Sequence, residues 1–419
     1  MTTNNSTLLR RSLLGATIVA GMLGMALLPG QAADKVVKVG ITLPLTGADA
    51  QGAVLIKNGF QMAIDEANEK GGAGGYKIET VVLDSGTATA GQYDPAQAAT
   101  NTKKLVSDPA VVANLGPEMS GEGKAMSPIL SAASLATNTP SSTNHDITSA
   151  DPNFIAQFRP HKKAVYFRTV TTDAFQGPNM ANYYLDTLKV KSVYVLDDSG
   201  AYGVGIADSF QKQAEKRGIK VLGRDQLNPK EADYSTILTK IKAANPDALY
   251  YGGVAQAGVK LCKQAFDIIP KMVKAGGDGM ISPEMLSGCG FPAVEGWYAT
   301  NATPNLRDDP TAQPTIEKYS KLYGKSPDSY ALTAYDGALV ILDAIKRVAD
   351  SGKPMNRENV RDAIQATKLK TLQGEVSFDE NGDINQRVIS VFRVNKDDTH
   401  PLGNTLYQYK YIGVAPATS

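Results

Sequence analysis

The sequence predicts an α/β fold: two blocks built on parallel sheets, then a helical block and a β-tail. Three observations carry this. Short β-rich runs alternate with amphipathic helical runs, the rhythm of a parallel sheet covered on both faces by helices. The rhythm breaks once, in a polar stretch between His145 and Lys163, and then restarts. The chain has 419 residues, 42% hydrophobic and 20% charged, a globular composition at a length that suggests two or more domains.

The elements follow in order. "KVVKVGITLPL" is β-rich, and residues 57–70 put Phe60, Ala63, Ile64 and Ala67 on one helical face. "YKIETVVLD" is a strand, and the helix over 97–106 is stopped by Asp108-Pro109. "AVVANLG", a helix over 123–133 and the short "LATNTP" complete the first block. After the break come "VYFRTV", a helix over 176–188, "SVYVLDD", a helix over 203–217, "DALYYGG", a helix over 257–268 and "DGMISPE", read as a strand. The last block has a β-like "EGWYATNA", helices over 316–323, 332–350 and 358–367, and a β-tail around an Asn381-Gly382 turn.

The first residues stand apart. Arg10 and Arg11 precede an apolar stretch from Ser12 to Leu28, and Pro29-Gly30-Gln31-Ala32 follows. Small residues at Gly30 and Ala32 suit a signal peptidase, so residues 1–32 read as a signal peptide cleaved before Ala33. The stretch is shorter than the roughly 20 apolar residues that a membrane anchor prefers. The paired arginines fit either a general or a twin-arginine export route.

Several function classes are excluded or weakened. Lys plus Arg is 43 and Asp plus Glu is 42, so no net field draws the chain to nucleic acid. The three histidines, His145, His161 and His400, are scattered, and no metal site is expected. The two cysteines, Cys262 and Cys289, read as one disulfide in an exported chain, with two separate buried thiols as the alternative. "EKGGAGGYK" (69–77) is glycine-rich, but it ends a helix and opens a strand. A phosphate loop does the reverse. "VYVLDDSGAYGVGIAD" has the right order for a dinucleotide loop, but Asp208 stands where a third small residue is wanted. Neither Gly-x-Ser-x-Gly nor His-Glu-x-x-His occurs. No cofactor and no catalysis are expected.

Three strand ends carry ligand-binding chemistry: "NLGPEMSGEGKAMSPI", "LATNTPSSTN" and "GMISPEMLSG". Open α/β sheets bind ligands just outside the carboxyl ends of their strands. With "ITLPLTG", "DSGAYGVG" and "LYYGG", the chain from about residue 35 to 394 resembles the periplasmic leucine/isoleucine/valine-binding proteins, solute receptors of ABC transporters with the type I periplasmic-binding fold. The resemblance implies two Rossmann-like lobes joined by three hinge strands, with crossings near 169–172, 298–303 and 372–376. Lobe one would be 33–170 plus 300–373, and lobe two 171–299 plus 374–419. It implies a monomer that captures an amino acid or similar amine-bearing carboxylate and docks on a membrane permease. A ligand sensor of a receptor, an aromatic-acid binder and an exported dinucleotide enzyme are the alternatives.

Site residues follow from the same resemblance. A zwitterion needs donors for its carboxylate and an anion for its ammonium. Ser120, Ser141 and Thr143 match the family's carboxylate-binding positions, and Glu284 matches the acid for the ammonium. Tyr202 matches a pocket tyrosine. Read without the family, Ser120 could cap a helix, Ser141 and Thr143 could serve turns, and Glu284 could be a first-turn acid. Two departures stand out: Val254 where an aromatic residue is usual, and Pro117-Glu118 in the first loop. Glu118 is then a second pocket acid or a solvated loop charge. Both departures weaken leucine as the ligand.

Overall fold

A computed structural model of the chain describes residues 35–418; the expected signal peptide and its cleavage point lie outside the described residues. The first half runs β1 (Lys35–Leu43), α1 (Ala50–Glu69), β2 (Tyr76–Asp84), α2 (Pro95–Ser107), β3 (Val111–Leu115), α3 (Ser120–Ala133), β4 (Ala136–Thr139), α4 (Pro152–Phe158) and β5 (Tyr166–Arg168). These five strands form one parallel sheet in the order β2-β1-β3-β4-β5. β3 is buried along its whole length, as a strand covered on both faces must be. The glycine run after α1 is a turn: Gly71, Gly72, Gly74 and Gly75 all have positive φ, which only glycine adopts freely. Asp94 caps α2 through the amides of Ala96 and Gln97, with Pro95 at its first position.

The second half runs α5 (Asp173–Asp186), β6 (Ser192–Asp197), α6 (Ala201–Lys216), β7 (Lys220–Gln226), α7 (Ser235–Ala244), β8 (Ala248–Gly252), α8 (Ala255–Ile268), β9 (Val273–Gly276), α9 (Pro283–Cys289) and β10 (Tyr298–Asn301). The chain then returns to the first sheet with α10 (Gln313–Tyr323), α11 (Ser329–Asp350) and α12 (Arg357–Gln365). α11 lies against α1 so closely that a Cβ on Gly59 would stand 2.1 Å from the carbonyl oxygen of Ala331. A small hairpin, β11 (Lys368–Thr371) and β12 (Gly374–Ser377), precedes β13 (Ser390–Val394), α13 (Thr405–Gln408) and β14 (Tyr409–Val414). The second sheet reads β14-β13-β10-β9-β8-β6-β7, parallel from β7 to β10 and antiparallel at β13 and β14.

The expected α/β architecture with two parallel-sheet lobes is the one observed. Local readings differ at several points. β7 and α7 were not foreseen from the sequence: β7 is a half-buried edge strand and α7 buries only Leu238 and Ile241, so neither has a strong apolar period. "DGMISPE" is not a strand; β9 ends at Gly276, Asp278–Met280 is a 3₁₀ turn, and Pro283 opens α9. Finally, residues 374–385 lie against the first sheet, not the second. Asp383 accepts from Arg168 Nε at 2.8 Å and from Thr148 Oγ1 at 2.9 Å, and the Phe378 ring meets Phe167 at 5.1 Å. The chain enters the second sheet only at Ser390.

Candidate functional site

The site is a cavity where the strand ends of both sheets face each other. Its wall comes from the start of α1, the β3–α3 loop, the loop after β4, the starts of α6, α8, α9 and α11, and the turn after β9. It encloses about 60 Å³ of space open to the centre of a water molecule. That is room for a few waters or a small organic molecule.

The loop after β4 is held from beneath by Arg168, which is fully buried. Its guanidinium donates to the carbonyl of Ser142 at 2.6 Å, to the carbonyl of Asn144 at 2.9 Å and to Asp383. Thus an ion pair between β5 and the 374–385 segment sets the height of the serines above it.

Ser120 is the first residue of α3, not its cap; Met119 holds the cap position, and Glu122 reaches back to the Met119 amide at 3.1 Å. Ser120 lines the cavity, and its Oγ accepts from the Asn144 amide at 3.2 Å. The α3 N-terminus, with its unpaired amides and positive dipole end, therefore abuts the cavity. Ser141 also lines it and donates to the Glu118 carbonyl at 2.9 Å. Thr143 does not line it: its side chain is fully buried, and its carbonyl accepts from the Asp173 amide. The run of three consecutive hydroxyl residues, 141–143, cannot tell which faces inward.

Tyr202 lines the opposite wall and donates to Asp278 Oδ1 at 2.8 Å. Asp278 also accepts from Gln176 at 2.6 Å and from Tyr330 of α11. It is buried, and burial raises its carboxyl above the usual carboxylate range despite these donors. Reading 278–284 as a strand hid this residue. An acid two residues past the end of β9 at Gly276 is the signal.

Glu284 lines the cavity, but its Oε1 accepts from the amides of Gln51 at 2.9 Å and Gly52 at 3.0 Å. An acid of α9 thus sits on the N-terminus of α1, where the dipole favours it. Asp49 accepts from the Tyr93 amide at 2.8 Å, and burial pushes it up to about 6. Asp328 caps α11 through the Ala331 amide at 2.6 Å, and burial pushes it up to about 7. Glu118 is no solvated loop charge: its Oε2 is shielded and has no donor among the described residues, and burial holds its carboxyl well above the usual range. Asp49, Asp278, Asp328 and Tyr330 escaped the sequence reading because they lie far apart in the chain.

Cys262 and Cys289 form a disulfide with Cα atoms 5.9 Å apart, tying α8 to α9.

Two parallel-sheet lobes with a polar cavity at their facing strand ends define a solute-binding protein of the periplasmic type. The family model for periplasmic binding proteins matches residues 36–399, and the chain belongs to that family. The Leu/Ile/Val-binding protein BraC3 of Rhizobium johnstonii is 30% identical over 384 residues, 91% of this chain and 96% of that one. The leucine-, isoleucine-, valine-, threonine- and alanine-binding protein of Pseudomonas aeruginosa is 29% identical over 387 residues, 92% of this chain and 96% of that one. Among solved structures, the leucine-binding protein LivK of Thermotoga maritima superposes with a TM-score of 0.77 at 27% identity, covering 90% of this chain and 98% of that one. All three carry the names of binding proteins.

Proposed function

We propose that this chain is the exported, monomeric solute-binding protein of an ABC importer, cleaved before Ala33, and that it holds a zwitterionic amino acid between two lobes that close by hinge motion. It performs no catalysis and delivers the ligand to a membrane permease. The observation that carries the reading is Asp278: a buried acid at the cavity wall that draws together Tyr202 of one lobe and Tyr330 of the other. An ammonium beside Asp278 adds a charge-assisted bond of about 1.5–3 kcal/mol once water is excluded. The ligand carboxylate meets Ser120, Ser141 and the α3 N-terminus.

In this reading Asp278 takes the role that the sequence suggested for Glu284, and Glu284 bridges the lobes instead. Lobe one takes in residues 374–385, with Thr143 as support rather than contact. The names of the relatives favour the same ligand class, and membership of the family favours the periplasm. A lone anion such as an aromatic acid is disfavoured, because a second buried negative charge beside Asp278 is costly.

Titration calorimetry of the mature protein against the proteinogenic amino acids tests it. At least one amino acid binds, and Asp278→Asn weakens that ligand tenfold or more. Heat-free titrations throughout, with thermal protection by NAD instead, would overturn the reading.

A further inference from the structure

The cavity wall carries more carboxyl groups than an ordinary zwitterion can answer. Asp49, Glu118, Asp278, Glu284 and Asp328 all line it, and no Lys, Arg or His does so among the described residues. A branched-chain amino acid brings one ammonium, which Asp278 uses, and an aliphatic side chain. That side chain would then be packed against carboxyl groups and would leave Glu118 Oε2 without a donor.

The acids form two poles. Asp278 stands with Gln176, Tyr202 and Tyr330. The other pole gathers at the starts of α1 and α11 and in the β3–α3 loop. There the carboxylates of Glu118 and Glu284 converge on one point: a Cβ on Gly52 would lie 3.3 Å from Glu118 Oε1 and 3.9 Å from Glu284 Oε2. Within this pole Asp49, Asp328 and Glu284 are each bonded to backbone amides. Glu118 differs. Its shielded Oε2 has no donor. No group of three such side chains is arranged to hold a metal ion among the described residues. What the pole lacks is a compact donor that brings its own charge.

We infer that the ligand is an amino acid with a second cation at the end of its side chain, a lysine- or ornithine-like diamino acid, whose side-chain ammonium bonds Glu118. This rests on the solute-binding reading above and names its ligand class. The α-ammonium lies at Asp278, the carboxylate at Ser120 and Ser141, and the distal ammonium beside Glu118.

Norleucine is the neutral isostere of lysine, so the lysine-to-norleucine affinity ratio isolates the distal charge. The ratio is measured by calorimetry on the mature wild-type protein and on Glu118→Gln, with melting curves of both. In the wild type lysine or ornithine binds at least 100-fold tighter than norleucine. In Glu118→Gln that ratio falls at least tenfold while the melting temperature holds or rises, because a buried unpaired acid has been removed. Tighter binding of leucine or norleucine than of lysine and ornithine by the wild type would overturn the inference and leave the solute-binding reading intact. Should the variant not fold, the wild-type ratio alone decides. Absence of binding by every amino acid would overturn both.

Discussion

Removing the Glu284 carboxylate tests whether α9 and α1 hold the two lobes together. In the structure Oε1 accepts from two backbone amides, at 2.9 Å from Gln51 and 3.0 Å from Gly52. Such a bond to a charged acceptor contributes about 1.5–3 kcal/mol when buried. The Gln51 bond is exposed and screened, so about 1.5–2 kcal/mol is the fair sum for the pair. At 1.4 kcal/mol per factor of ten, Glu284→Ala should lower the population of the bridged arrangement about 10–30-fold. Under the proposed closure of the two lobes, apparent affinity for whichever ligand binds falls by the same factor. Glu284→Gln keeps an acceptor and loses only the charge on the helix dipole, about 0.3–1 kcal/mol, or roughly two- to fivefold. Calorimetry on the mature wild type and both variants reads these numbers. An Ala variant within twofold of wild type, or a Gln variant weaker than the Ala variant, would refute the reasoning.

Acidification should stabilise the ligand-free protein. Burial pushes Asp49, Asp198 and Asp336 up to about 6, Asp328 up to about 7 and Glu122 up to about 8, against about 4 in the unfolded chain. Raised carboxyls make the folded state bind more protons than the unfolded state, so stability falls as pH rises from about 4 to 8. The melting temperature at pH 5.5 should exceed that at pH 8 by several degrees, and an inverted order would contradict the burial of these acids. Loss of the disulfide in Cys262→Ser/Cys289→Ser frees a 27-residue separation. That is worth about 3.5 kcal/mol of chain entropy, a fall of about 4 °C in melting temperature for a chain of this size. An unchanged melting curve would refute it. Gly59→Ala should destabilise by about 1–3 kcal/mol through the clash with the Ala331 carbonyl, read by urea unfolding.

Legibility differed between fold and site. Alternating apolar strands and amphipathic helices are local signals, and β3 and α1 were read from them directly. β7 and α7 were missed because an edge strand and a lightly buried helix carry little apolar period. At the site, Ser120, Ser141, Tyr202, Glu118 and Glu284 come from the resemblance to the family, and all five line the cavity. Thr143 shares their loop signature and is not part of the cavity wall. Asp278 falls in "DGMISPE", which reads as a strand and folds as a 3₁₀ turn leading to α9.

By itself the sequence determined the α/β class, the order of its two parallel-sheet blocks and the presence of two cysteines able to pair. Each depends on periodicity, spacing or count, which neighbouring residues express without help. Tertiary structure alone decided which acids share a cavity and which of them lack a donor. Asp49, Glu118, Asp278, Glu284 and Asp328 span more than half the chain, and their mutual repulsion and burial exist only after both sheets have turned their strand ends toward one another.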